Sequence, residues 1–158
     1  MKKLFLTAVL AVLSVTAFAQ TGKSLYEKYS DYEGVEAVYI SPAMFKLIGK
    51  LTIDMGEGDL DIARLVRSIK GMYILNMPNS SPASKLAGEV SKMISRGNYE
   101  LLMEAKDSGD RMQMFTNGDD NLIRSFVMLN TDSDETSFIC FDGEMVREDF
   151  ENVIRDAM

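Results

Sequence analysis

Between Tyr99 and Phe141 apolar and polar residues alternate in short runs parted by turn residues, and no other stretch of the chain limits the fold as strongly. Tyr99, Leu101, Met103 and Ala105 fall on every second position, and Ser108-Gly109 then turns the chain into a run from Arg111 to Thr116. Asn117-Gly118 is a further turn signal before Leu122 to Asn130, and Asp132-Ser133-Asp134 leads into Thr136 to Phe141. A period of two sends alternate side chains to opposite faces of a strand, and short Gly, Asn or Asp turns leave the next strand antiparallel. Four strands joined as a meander are therefore expected.

Before Tyr99 the spacing is mostly helical. Leu25, Tyr26, Tyr29 and Tyr32 lie near one helical face, which predicts a short helix over Lys23 to Tyr32 whose tyrosines cap the core margin or offer an aromatic surface to a partner. Val35 to Ile40 reads as a strand. Met44, Leu47, Ile48 and Leu51 then recur at helical spacing, as do Ile62, Leu65, Val66 and Ile69 after the break at Met55 to Gly58. Gly71 ends that helix, Met72 to Met77 is a second apolar strand, and Leu86, Val90, Met93 and Ile94 form the inner face of a helix stopped by Gly97. Val146, Phe150, Val153, Ile154 and Ala157 mark a C-terminal helix.

Ser41-Pro42-Ala43 and Ser81-Pro82-Ala83 each follow a strand and precede a helix. Serine suits the N-cap and proline the first helical position, where its missing N–H leaves no bond unmade, so Ser41 and Ser81 are expected as caps. The predicted order is α-β-α-α-β-α-β-β-β-β-α. Early helical crossovers allow parallel neighbours and the later turns force antiparallel ones. The expected class is α+β, with a mixed, largely antiparallel sheet and helices packed mainly on one face.

The opening MKKLFLTAVLAVLSVTAFAQ has Lys2 and Lys3, an apolar run from Leu4 to Val15, and Ala17 and Ala19 in the small positions of a cleavage site. It reads as a signal peptide over residues 1–19 and is shorter than the ~20 apolar residues of a membrane span, so no stable membrane insertion is expected after cleavage. Removing 19 of 158 residues leaves 139, enough for a single domain over 20–158. Lys+Arg then falls from 17 to 15 against 24 acids, and the net charge moves from -7 to -9. So acidic a chain repels phosphate backbones, and no nucleic-acid partner is expected.

Few residues offer chemistry. There is no histidine, and the flanks of Ser41 lack the glycines of a hydrolase elbow. Cys140 is the sole cysteine and sits in Phe138-Ile139-Cys140-Phe141, the setting of a small buried hydrophobe rather than a reactive thiol. Acids cluster at Asp54, Glu57, Asp59 and Asp61, at Asp119 and Asp120, and at Asp132, Asp134 and Glu135. A calcium loop counted from Asn130 would need Gly and Glu where Glu135 and Phe141 stand. Met112 and Met114 share a strand face that suits soft Cu(I), yet methionines such as Met44, Met93 and Met103 lie on stripes assigned to the core. No phosphate loop or dinucleotide fingerprint is present. No catalytic, cofactor-binding or metal-binding residue is assigned, and no cofactor is expected.

The run LYEKYSDYEGVEAVYISPAMFKLIG, the strand IKGMYIL at Ile69 to Leu75 and FDGEM at Phe141 to Met145 resemble a family of exported proteins common in bacteria of the Bacteroides group, domain-of-unknown-function family 4252. The resemblance rests on the tyrosine-rich start, Glu33-Gly34-Val35 leading into a strand, and Ile40-Ser41 before Met44-Phe45. It implies a small exported α+β domain and carries no activity. The expected function is that of an exported, periplasmic or extracellular, non-catalytic protein that binds a protein partner or a small ligand. The alternatives are a small hydrolase using two carboxylates and a cell-envelope stress or regulatory component.

Overall fold

The computed structural model describes residues 21–54 and 60–157, so the expected signal peptide and the break at Met55 to Gly58 lie outside the described residues. The chain forms α1 (Gly22–Tyr29), β1 (Glu36–Ile40), α2 (Pro42–Asp54), α3 (Leu60–Ser68), β2 (Ile69–Pro78), α4 (Ser81–Arg96), β3 (Tyr99–Asp107), β4 (Asp110–Gly118), β5 (Leu122–Thr131), β6 (Glu135–Val146) and α5 (Arg147–Ala157). This is the predicted order and an α+β fold. One six-stranded sheet has the order β1-β2-β6-β5-β4-β3, so β3 to β6 do form the meander. Ser108 and Gly109 take φ of 48° and 105°, the paired positive values of a type I′ hairpin turn.

The expected parallel neighbours are absent, because all five pairings in the sheet are antiparallel. Two helices in series carry the chain out and back, so β2 starts beside the end of β1, with Ile40 opposite Met72. The single helix α4 does give β3 the direction of β2. However, β3 lands at the far edge, and the meander then folds back until β6 pairs with β2.

Several boundaries also move. Ile69 opens β2 instead of closing the helix before it, and Val146 ends β6, exposed, rather than joining the C-terminal stripe. Asn117-Gly118 is not the turn: β4 runs through Gly118, and Asp119 makes the turn by accepting at Oδ1 from the N–H groups of Asn121 and Leu122 at 2.9 and 3.0 Å. Ser41 caps α2 as expected, accepting from the Met44 N–H at 3.4 Å. At α4 the cap is Ser80, not Ser81. The extended backbone at Ser80 lets its Oγ accept from the Ala83 N–H at 3.3 Å, and Pro82 sits one position deeper among the donors that have no helical partner anyway.

The stripe of α2 is the largest correction. Met44, Leu47 and Ile48, expected to face the core, are 48%, 52% and 37% exposed, and Phe45 is buried in their place. The reason lies at Gly49, where a Cβ would fall 2.4 Å from Arg67 Cγ: α2 packs on α3 through its smallest residue. Ile62 is likewise exposed and Ala63 buried. The side chains of Leu51, Ile154 and Ala157 lie outside the described residues.

α1 and α4 lie over one face of the sheet. Leu25 and Tyr29 of α1 and Ala83, Leu86, Val90 and Met93 of α4 bury Leu75, Met77, Val127, Leu129, Phe138 and Cys140. The tyrosine stripe caps this core: Tyr26 rests 5.7 Å from Tyr73, which stacks at 5.3 Å on Tyr39. A smaller core on the other face joins Ile123, Phe126, Met145 and Phe150 with Leu65 of α3. Among the described residues no helix is long and apolar enough to cross a membrane.

Candidate functional site

The face turned away from α1 and α4 carries the unusual surface. Val38, Ile74, Ile139, Met128, Met114 and Met103 stand opposite one another in register, one from each strand, and form an apolar rung across the whole sheet. On the opposite face Leu75, Phe138 and Val127, each next in sequence to a member of this rung, are wholly buried. The rung itself is only half-buried along its centre, and its ends Val38 and Met103 are 47% and 42% exposed.

Its two flanks differ. On one side Glu36, Asn76, Ser137 and Asn130 form a polar rung in register. On the other, Phe141 and Phe126 stack at 4.7 Å, and Phe150 of α5 closes over Phe126 at 6.0 Å. Met128 and Met114 of the rung pack at the margin of this covered cluster, and the cover thins out toward the rung's exposed ends. Met103 and Met44, assigned to the core from their spacing, are exposed, whereas Met93 is buried as expected. Contiguous apolar surface of this kind marks interaction sites, and methionine side chains adapt to varied partners. The sequence signal was there: Met72 to Leu75 and Phe138 to Phe141 are apolar on both faces, which demands cover on both.

A second feature lies on the helix-covered face, where a bulge in β2 at Lys70 and one in β6 at Gly143-Glu144 fall together beside Asp142. Tyr99 Oη donates to Ser125 Oγ at 3.2 Å, Ser125 lies 3.7 Å from the Cys140 thiol, and that thiol donates to Asp142 Oδ1 at 3.8 Å. Burial pushes the Asp142 carboxyl above its ordinary range. Burial and then the Asp142 charge push Tyr73 up to about 12, and the same two causes raise the Cys140 thiol. Cys140 is fully buried and held as the thiol, the inert role expected of it. Asp142 neighbours a thiol, a serine hydroxyl and phenols.

The pH dependence of this group has a definite sign. The folded chain holds the Asp142 proton more tightly than the unfolded chain, so stability falls as pH rises from the unfolded value of ~3.9 through the folded one. Asp142→Asn is expected to melt above the parent at pH 7, and the gap should close below about pH 4. Thermal melts of both proteins across pH check this; a parent that melts higher at pH 7 would show that the carboxylate is stabilised in a way its surroundings do not explain.

The acidic clusters build turns. Asp132 Oδ1 accepts from the N–H groups of Asp134 and Glu135 at 2.8 and 2.9 Å, as Asp119 does in its own turn, and these backbone donors hold Asp132 low and Asp119 at about 2. Among the described residues no three Cys, Asp or Glu side chains gather as metal ligands. The side chains of Asp54, Glu57, Asp59 and Asp61 lie outside the described residues. Concavities are modest. One of about 220 Å³ lies between α4 and β4 over Phe115 and Leu129, and one of about 390 Å³ at the start of α5 is lined by Asp120, Arg147, Glu148 and Glu151. Small-molecule pockets are roughly 300–1,000 Å³ and mainly apolar; the first groove is smaller, and the second has that size but five polar or charged residues among the seven that line it.

The family model described as "Domain of unknown function (DUF4252)" matches residues 28–153. The chain belongs to this family. In this DUF4252 chain the matched span takes in every strand, the Ile69 to Leu75 and Phe141 to Met145 segments, and the whole apolar rung. No curated protein and no solved structure matches the chain.

Proposed function

We propose that this DUF4252 protein is an exported, non-catalytic binding protein of bacteria of the Bacteroides group, and that its open sheet face receives an apolar surface of a partner protein. The observation that carries the reading is the six-residue rung from Val38 to Met103, in register across every strand, half-buried along its centre and exposed at both ends. At ~25 cal/mol per Å² of apolar surface removed from water, covering such a face is worth several kcal/mol before the cost of association. A protein partner is favoured over a small ligand because the face is broad and the grooves are small or polar. Export is supported by Lys2 and Lys3, the apolar run from Leu4 to Val15, and Ala17 and Ala19.

The test is site-specific photo-crosslinking in cells that make the protein. A photoreactive residue at Val38 or Met103 is expected to give a discrete protein adduct, and one at exposed Lys92 on α4 is not. No adduct from the sheet face, together with turnover in a broad hydrolase screen, would overturn the reading.

A further inference from the structure

The two edges of the sheet are unlike. β1 has five residues and is followed at once by Ser41 and Pro42, two devices that blunt an edge. β3 has nine residues, eight of them exposed, and no proline; a bulge at Leu102, where Arg147 of α5 reaches Glu100 at 3.9 Å nearby, leaves Met103 to Asp107 as a regular, open segment. Leu101, Leu102 and Met103 are 54%, 47% and 42% exposed, a run of three apolar residues that a solitary edge strand would not be expected to show.

The backbone phase of β3 follows from its turn. A two-residue hairpin closes on a hydrogen-bonded pair, here Asp107 and Asp110, so alternate residues of the regular segment, Glu104 and Lys106, aim their N–H and C=O groups away from β4. Only these residues can bond a further strand there. A second β3 in antiparallel alignment has three registers of that phase: Glu104 opposite Glu104, Lys106 opposite Lys106, or each Glu104 opposite a Lys106. The first two set like charges face to face, which is destabilising. The third gives two opposite-charge pairs, with Ala105 facing Ala105 on the axis. It needs little rearrangement, because Arg111 and Gln113 already grip Glu104 Oε2 at 2.6 to 2.9 Å, while Oε1 holds Lys106 at 2.7 Å and can take the partner's Lys106 instead.

We infer that the protein self-associates through β3, pairing antiparallel with the same strand of a second copy about a two-fold axis at Ala105, so that two sheets join into one of twelve strands. The contact is isologous and therefore closes at the dimer, and the short β1 edge blocks growth beyond it. It leaves the apolar rung of both copies open on one side of the joined sheet.

Sedimentation equilibrium of the purified protein over a range of concentrations tests this. A reversible monomer–dimer equilibrium is expected. Lys106→Glu alone and Glu104→Lys alone should each weaken it about tenfold or more by setting like charges opposite. An equimolar mixture of the two variants should restore association, since each copy then meets its opposite charge. Lys106→Pro, set against Lys106→Ala, which removes the same charge but keeps the N–H, tests the backbone pairing: the N–H points away from β4, so the proline variant should keep its circular dichroism and melt while losing dimerisation beyond the alanine variant. A protein that stays monomeric throughout, or a dimer indifferent to Lys106→Glu and Lys106→Pro, would overturn the inference.

Discussion

Phe138→Ala should destabilise the protein by about 4 kcal/mol and lower its melting temperature by about 10 °C. Phe138 is fully buried on β6, an interior strand of the sheet, with Leu75 and Leu129 opposite it on the two neighbouring strands. Leu25 and Tyr29 of α1 and Leu86 and Val90 of α4 belong to the same cluster. Truncation therefore removes the ring at the place where both helices meet the sheet, and elements held on both sides cannot collapse into the gap. The cost is the lost transfer energy plus that of a lasting cavity. A domain of this size is stable by about 5–15 kcal/mol, so the variant should still fold but unfold at much lower urea with an unchanged slope. Tyr39→Ala, at the exposed margin, should shift the midpoint far less. A Phe138→Ala loss below about 1 kcal/mol would mean that the two helices do not close on β6 as described.

Gly118→Ala is expected to cost about 3 kcal/mol, although it adds one methyl group. Gly118 has an ordinary φ, so the requirement is space. A Cβ there would lie 2.0 Å from the Leu122 carbonyl oxygen and 2.9 Å from Ile123 Cα. Both are backbone atoms that cannot swing aside. The β4–β5 turn must open instead, at the expense of the Asp119 N–H to Leu122 C=O bond at 2.8 Å and of the two backbone donors that bind Asp119 Oδ1. Hydrogen exchange should quicken at the Asp119 and Leu122 amides well beyond the global loss of stability. Gly88→Ala is the control: nothing lies within 4 Å of its Cβ position, so alanine should raise stability by about 0.5–1 kcal/mol through helix propensity. Equal effects at the two glycines would refute the close approach at Gly118.

Local pattern carried a great deal. The turn at Ser108-Gly109, the alternation from Tyr99 onward and the helical spacing of Leu86, Val90 and Met93 are all in the structure, and so is the burial of Cys140. Each depends on residues a few positions apart. The misplaced caps and turns were close contests of the same local kind. Ser80 and Ser81 are both competent caps, and the extended backbone at Ser80 decides between them. At Asn117-Gly118 the turn chemistry is favourable, but Asp119 supplies a carboxylate that ties the next turn more firmly.

The candidate site was barely legible, for a different reason. Met114, Ile139 and Val38 stand far apart in the chain, and nothing in their own neighbourhoods says that they share a rung. The sequence by itself determined the order of elements and the meander, because periodicity and turn chemistry act within one strand or helix. Only the tertiary structure decided that β3 would land at the far edge, that α2 would rest on α3 with Met44 and Leu47 turned outward, and that one sheet face would keep a partly exposed apolar rung. Those outcomes depend on strand register and on the supply of helices to each face. Both are settled by packing between segments distant in sequence, where a residue's hydrophobicity states that it should be covered but not by what.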